Sequence, residues 1–515
     1  MKRRDFLQRS SVISLPIFLN GMGVKAMGFS PFNFGPDINH DRVLVIIQMD
    51  GGNDGLNMVL PIDQYANLSA ARSNILIPEN QALELTIETG LHPVMTGVKS
   101  LYDDQKVSVI HSVAYPNQNR SHFRSKDIWQ SGSSADEFVS TGWLGRFFDS
   151  EVEGFPTDYP NEEYPDPFAI TIGGFVTETC QGSVANYSLA LVDPFNLSPL
   201  GSGAAGSIPN DNYGKELSFL RTSIAQSNAY AAVITDAAEG GNTLSEKYDD
   251  NNNLAQKLKI VAQLISGGLD TKVYVVNIGG FDTHANQTDT GDTTTGNHAT
   301  LLSQISNAIE SFQDDLELLG LSDRVMGMTF SEFGRRIRSN GSGGTDHGTA
   351  APMIVFGNCI KTQMLGQNPE ISANPDVQEG VAMQHDFRSV YGSILMDWFN
   401  VPEDDIRTLL YQDFQHLPIL CDLVSNEEQY IDNLPSKNFP NPFENFTDIE
   451  FTCEQERVRI SIFDVIGNEI KVLSDQNFNA GTHKVRFEAH GMPAGNYYYR
   501  ITIGNKFTTK LMVKL

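Results

Sequence analysis

Residues Val43–Asp54 read VLVIIQMDGGND, and the fold turns on how this stretch is understood. The apolar run from Val43 to Ile47 is too short for a helix and rich in β-branched side chains, which fits a strand covered on both faces. It predicts a central strand. The run stops at Asp50, Gly51, Gly52, Asn53 and Asp54, so a carboxylate stands where a parallel strand of an open α/β sheet delivers its chain to the ligand crevice. Gly51 and Gly52 suit a tight turn or a close approach to a ligand, and Asn53 and Asp54 suit an Asx turn or a helix cap. For Asp50 a turn role and a site role both stay open at this point.

The same pattern of apolar strand followed by acid recurs along the chain. Pro93–Asp104 carries an amphipathic helical pattern and Lys106–Ala114, KVSVIHSVA, a second strand, which sets a β-α-β rhythm. The loop YPNQNRSHF then runs into a helical spacing of Phe123, Ile128 and Trp129, so Ser121 falls near a helix N-terminus beside His122 and Arg124. A serine there is an N-cap or a nucleophile whose developing anion the helix end would stabilise. Thr271–Ile278, TKVYVVNI, ends in GGFDTH, where Asp282 and His284 at i and i+2 share one side of an extended chain. His298 opens a helical stripe of Leu301, Leu302, Ile305, Ile309 and Phe312 and reads as a helix-face or supporting residue. Arg324–Phe330, RVMGMTF, hands over to Glu332, Arg335 and Arg336. The glycine-rich SNGSGGTDHG carries Asp346 and His347, a strand begins at Ala351, and a helix follows His385. The helical patterns Lys215–Asp236 and Thr243–Gly267, and the Gly201–Asn212 loop, carry no assignable chemistry.

With 515 residues, 40% hydrophobic and 10% aromatic, the chain can bury a large core in more than one domain. Its 63 acidic against 36 basic residues, a formal charge of −27, argue against a nucleic-acid partner and suit divalent cations. Cys180, Cys359, Cys421 and Cys453 lack Cys-x-x-Cys spacing, so a cysteine metal site is not expected; two disulfides and four free thiols both remain open.

Both ends differ from the middle. Residues 1–29 have a basic start, a moderately apolar stretch and a small-residue end, as a signal peptide does. Arg3 and Arg4 followed by Asp5, Phe6 and Leu7 resemble the twin-arginine signal, and Ser11–Leu19 is too short to span a bilayer, so no transmembrane segment is expected. The main domain is expected at 38–430. A Pro- and Asn-containing linker is read at 431–447, and short alternating strands at 448–515 predict a small all-β sandwich.

Asp50, Asp282, His284, Glu332 and His347 all follow apolar strands or lie on loops just after them, where a parallel sheet would gather them around divalent metal: Zn, Mn, Fe or Ca. At these segments the chain resembles the family called domain of unknown function 1501, through VIIQMDGGNDGLNMVLP, LHPVMTGVKSLYDDQ, NRSHFRSKDIW, TGWLGR, GGFDTH, TFSEFGRR, GTDHGTAAPM and DFRSVYGSILMDWF. That resemblance implies an alkaline-phosphatase-like, mostly parallel sheet flanked by helices. It also implies Asp50 as a first-strand metal carboxylate, Ser121 as nucleophile, Asp282 and His284 as ligands of one metal, and His347 as a late histidine ligand. The Asp-x-His spacing is shorter than the superfamily's, and Glu332-Phe333 stands where an Asp-His pair would follow a strand; a two-metal mechanism is thereby put in question. The tail, with SIFDVIGNEIKVL, MPAGNYYYRI and TTKLMVKL, resembles the type A sorting domain of the type IX secretion system, which implies export to the periplasm and then to the cell surface or medium.

The expectation is therefore an exported metal-dependent hydrolase of phosphate or sulfate esters. Arg335 or Arg124 would bind the anionic group, and Asn53, Asp54, His122, His298 and Asp346 would support the ligands. The export machinery is the expected partner. The alternative is a non-catalytic surface binding or assembly protein of the same fold, taking a glycan.

Overall fold

The computed structural model describes residues 41–197, 212–421, 429–430, 436–453, 456–463, 469–503 and 506–515. The signal-like segment 1–29, residues 201–211 of the glycine-rich loop and residues 431–435 of the expected linker lie outside the described residues. The chain divides into two compact units, Met1–Asp422 and Leu423–Leu515.

The first unit is built on a nine-stranded sheet with the chain of Val43–Asp50 (β1) near its middle. In chain order the other strands are Val107–Ala114 (β2), Ala169–Ile172 (β3), Ser188–Leu191 (β4), Val273–Gly279 (β5) and Val325–Ser331 (β6). A hairpin of Arg335–Ser339 (β7) and Thr345–His347 (β8) stands apart from the sheet. Ala351–Phe356 (β9), Met364–Leu365 (β10) and His385–Asp386 (β11) complete it. The order across the sheet is β10-β2-β9-β6-β1-β5-β3-β4, with β11 also on β2. β1 is parallel to both neighbours, pairing Met49 with Ile278 on one side and with Ser331 on the other. β9 differs: it runs antiparallel between β2 and β6, a direction that a continuous apolar run does not encode.

The apolar run of β1 is explained by cover on both faces. On one face Val43, Val45, Ile47 and Met49 join a core with Leu302, Ile305, Ile309 and Phe312 of the helix Asn297–Leu318 and with Leu258 and Val261 of the helix Asn253–Ser266. On the other, the helix His122–Ser131 packs Trp129 on Phe330 of β6, and Trp143 of the helix Trp143–Glu151 stacks on Tyr391 of the helix Phe387–Phe399. The segment Thr243–Asn252, expected to be helical, is not, because Asn252 caps the next helix through the N–H groups of Leu254 and Ala255. Cys359 and Cys421 form a disulfide, and Cys180 and Cys453 are buried outside it.

The second unit is all β, with a five-stranded and a three-stranded sheet. Part of the segment read as linker is itself a strand, Ser436–Phe439, paired antiparallel with Phe446–Cys453. Ile449, Phe451, Val458, Ile460, Phe487, Tyr499 and Ile501 form its core. Among the described residues no helix is long and apolar enough to cross a membrane.

Candidate metal centre

The carboxyl ends of β1, β5 and β6 meet at two interlocked turns. Gly51 and Gly52 adopt positive φ, and a Cβ on Gly51 would lie 2.4 Å from the Asp282 nitrogen, one on Gly52 2.3 Å from the Phe333 ring. Only glycine lets the turn after β1 lie against the turn after β5. The Arg335 guanidinium staples the two together, donating to the carbonyls of Gly51, Gly52 (2.7 Å), Phe281 (3.0 Å) and Thr345 (3.0 Å) and to Asp282 Oδ1 (2.7 Å).

Asp282 is thereby held with its carboxylate facing three histidines. Oδ1 lies 3.2 Å from His284 Nε2 and 3.3 Å from His347 Nε2, and Oδ2 lies 3.6 Å from His122 Nε2. Ligand atoms of His122, Asp282 and His347 all fall within 4.8 Å of one another, and His284 Nε2 is 2.9 Å from His347 Nε2. Phe333, buried, fixes the rings from below, with centroids 4.9 Å from His122 and 4.6 Å from His347.

Each imidazole is anchored through its other nitrogen. His122 Nδ1 meets Glu332 Oε1 at 2.8 Å, His284 Nδ1 meets Asp346 Oδ1 at 3.0 Å, and His347 Nδ1 meets the Arg120 carbonyl at 2.8 Å. These partners are all acceptors, so in neutral rings they place the proton on Nδ1 and leave the Nε2 lone pair facing Asp282. The lone pairs of three imidazoles and the oxygens of a carboxylate then converge where electron-rich atoms repel unless a cation joins them. Histidines oriented by acceptors behind them are how proteins present imidazole to a metal. The donor set of nitrogen and oxygen fits a divalent transition metal. Burial pushes the His347 imidazole below its ordinary range, toward the neutral, ligating form. Partial burial opposes ionisation of Asp282, but the Arg335 hydrogen bond and charge outweigh it and hold the carboxyl below the usual range.

Other residues named from sequence take different places. Asp50 stands outside the group: Gln48 and Lys126 reach its Oδ1 at 2.6 and 2.5 Å, and Asn277 its Oδ2 at 3.2 Å. Glu332 stands behind His122 rather than facing the shared point; its Oε1 also takes the Gly51 N–H at 2.9 Å. Arg335, expected to bind an anion, is 1% exposed with its guanidinium spent on the turns. Arg124 is also committed, to Asp127 and the carbonyls of Ser134, Ala135 and Glu137, and it lies over the Phe138 ring. Ser121 occupies the N-cap position, exposed, with no cap bond from its hydroxyl, directly before His122. Asp54, Asn53 and His298 lie in a buried network beneath the turns. There Arg72 Nη1 donates to both oxygens of Asp54 at 2.8 Å, Gln287 donates to it at 2.6 Å, and His298 Nε2 meets Asn53 Oδ1 at 2.9 Å. The sequence reads His122 as a supporting residue. The one clue to its place in the group is position, because a loop entering a helix after a strand lies at the same rim as Asp282, His284 and His347.

The fold and site together define a mixed α/β protein that carries a candidate metal centre. The chain has two family regions: residues 231–393 match "Protein of unknown function (DUF1501)" and residues 437–514 the secretion system C-terminal sorting domain, which marks it for export. The first region contains Asp282, His284, Glu332 and His347, whereas His122 precedes it. No curated protein matches the chain. Solved structures with similarity include a protein of the alkaline phosphatase superfamily from Vibrio parahaemolyticus, 11% identical with a TM-score of 0.32, covering 92% of this chain and 82% of that one. The PsFucS1 sulfatase from Pseudoalteromonas sp. is 10% identical with a TM-score of 0.31, covering 87% and 83%. Alkaline phosphatase from the Antarctic bacterium TAB5 is 8% identical with a TM-score of 0.25, covering 61% and 91%.

Proposed function

We propose that the chain is an exported hydrolase of phosphate or sulfate esters that works with one divalent metal ion held by His122, Asp282, His284 and His347. The observation that carries this reading is the convergence of three Nε2 atoms on Asp282, each ring anchored from behind by an acceptor. A divalent cation bound there supplies Lewis acidity toward an ester oxygen. Ser121 offers an uncommitted hydroxyl at the N-terminus of the helix His122–Ser131, where backbone N–H groups favour a developing anion, and acts as nucleophile. Lys126, one turn on from His122 on the same helix, takes the part expected of Arg335 by exchanging Asp50, its ion-pair partner at 2.5 Å, for the anionic group.

The test uses purified full-length protein with bound metal measured and aryl phosphates and sulfates assayed. Ser121→Ala should keep the metal and lose turnover, and His347→Ala should lose both. Turnover unchanged in His347→Ala would remove the proposal. A second reading, a glycan-binding protein without turnover, is favoured by Phe123, 91% exposed beside His122 and suited to stack on a sugar ring. Glycan binding retained in Ser121→Ala, with no hydrolysis by the parent protein, would select it.

A further inference from the structure

A second group of metal-ligating side chains lies at the far edge of the sheet. β10 and β11 both run along one edge of β2, Met364 opposite Val109 and His385 opposite Val113, which sets His111 between them. His111 Nε2 lies 2.9 Å from Met364 Sδ. His385 Nε2 is buried and has no hydrogen-bond partner among the described residues. Its backbone pairs with Val113, two residues along β2 from His111, so the three side chains belong to one stretch of the sheet edge.

Local structure holds these groups in place. Ser112 has a φ of 51° and bends β2 beside His111, and its carbonyl takes the Gln384 N–H at 2.9 Å, which ties the chain leading into β11 to β2. Gly366, at φ 84°, keeps open the space before His385: a Cβ there would lie 2.8 Å from Nε2. Met364 and His385 are half-buried at the sheet edge, so an ion has a route in, whereas His111 is 3% exposed.

The chemistry selects among ions. A thioether is only a weak acceptor, so Met364 does little for a buried imidazole N–H. A thioether and neutral imidazoles carry no charge. Such a set brings no anionic ligand to offset a divalent charge, and thioether and imidazole suit a soft monovalent ion. We propose that His111, Met364 and His385 form a binding site for monovalent copper, separate from the His122 centre.

The test is an anaerobic titration of copper-free full-length protein with Cu(I) against a chromophoric Cu(I) chelator, with X-ray absorption on the loaded protein. One Cu(I) per chain is expected, with one sulfur in its shell. Met364→Leu, which conserves volume, should keep the fold by circular dichroism yet bind at least about tenfold more weakly. His347→Ala should bind as the parent does. Equal affinity in Met364→Leu, no uptake in competition with the chelator, or loss of Cu(I) only in Cys180→Ala or Cys453→Ala would each overturn the site.

Discussion

Glu332 Oε1 stands 2.8 Å from His122 Nδ1 and takes the Gly51 N–H with the same oxygen at 2.9 Å. One buried carboxylate thus couples the turn after β1 to the orientation of an imidazole on a different element. Glu332→Gln keeps an acceptor for Gly51 and puts an amide where His122 needs a carboxylate. Metal affinity should fall about 10- to 100-fold with the fold intact, read by competition with a metallochromic chelator.

Ser121 and His122 are adjacent but should separate cleanly. Because the Ser121 hydroxyl makes no cap bond, Ser121→Ala should change stability by no more than about 0.5 kcal/mol in urea unfolding, while turnover of an aryl ester collapses. His122→Ala should lose metal as well as turnover. Equal metal loss in both variants would contradict separate roles.

Beneath the site, Arg72 and Asp54 form an ion pair with side chains 0% and 1% exposed. Removing one partner leaves a buried charge, so Asp54→Ala should cost about 3–5 kcal/mol, measured by urea unfolding. All three tryptophans, Trp129, Trp143 and Trp398, lie in the first unit, so their fluorescence reports that unit alone. Burial alone would raise the Asp54 pKa, but Arg72 outweighs it and the value is lowered. The pair's stability is therefore complete above the unfolded carboxylate value near ~3.9 and is lost as pH falls through the lower folded value.

His298 acts in a higher window. Fully buried, it is pushed down from 6.5 to about 4, first by burial and further by Arg335 and Arg72, with Asp54 opposing. The unfolded chain takes up a proton below pH 6.5 that the folded chain refuses, so stability falls between pH 6.5 and 4, by about 3 kcal/mol from this residue at pH 4. His298→Gln, which can still donate to Asn53, should flatten the decline of the urea midpoint between pH 7 and 5.

The strands that deliver the site were legible because β1, β5 and β6 are covered on both faces and so write continuous apolar runs. Asp282, His284 and His347 could be named because glycine-rich turns after such strands point to one rim. The direction of a single side chain could not be read. Asp50 ends β1 as foreseen, yet Lys126, one helical turn beyond His122, draws its carboxylate aside. Glu332 likewise follows its strand but turns inward to Gly51. Arg335 resembles an anion-binding arginine in sequence, and only the packed turns show its donors consumed. The meeting of His111 with Met364 depends on two-residue strands whose pairing leaves no periodic trace.

The central claim, one metal among His122, Asp282, His284 and His347, is tested most directly by a crystal of the protein grown with Zn or Mn and measured at that metal's absorption edge. The account predicts one anomalous peak about 2.0–2.2 Å from the three Nε2 atoms and an Asp282 oxygen. A map with no peak there, the imidazoles bonded only to one another and to Asp282, would contradict it.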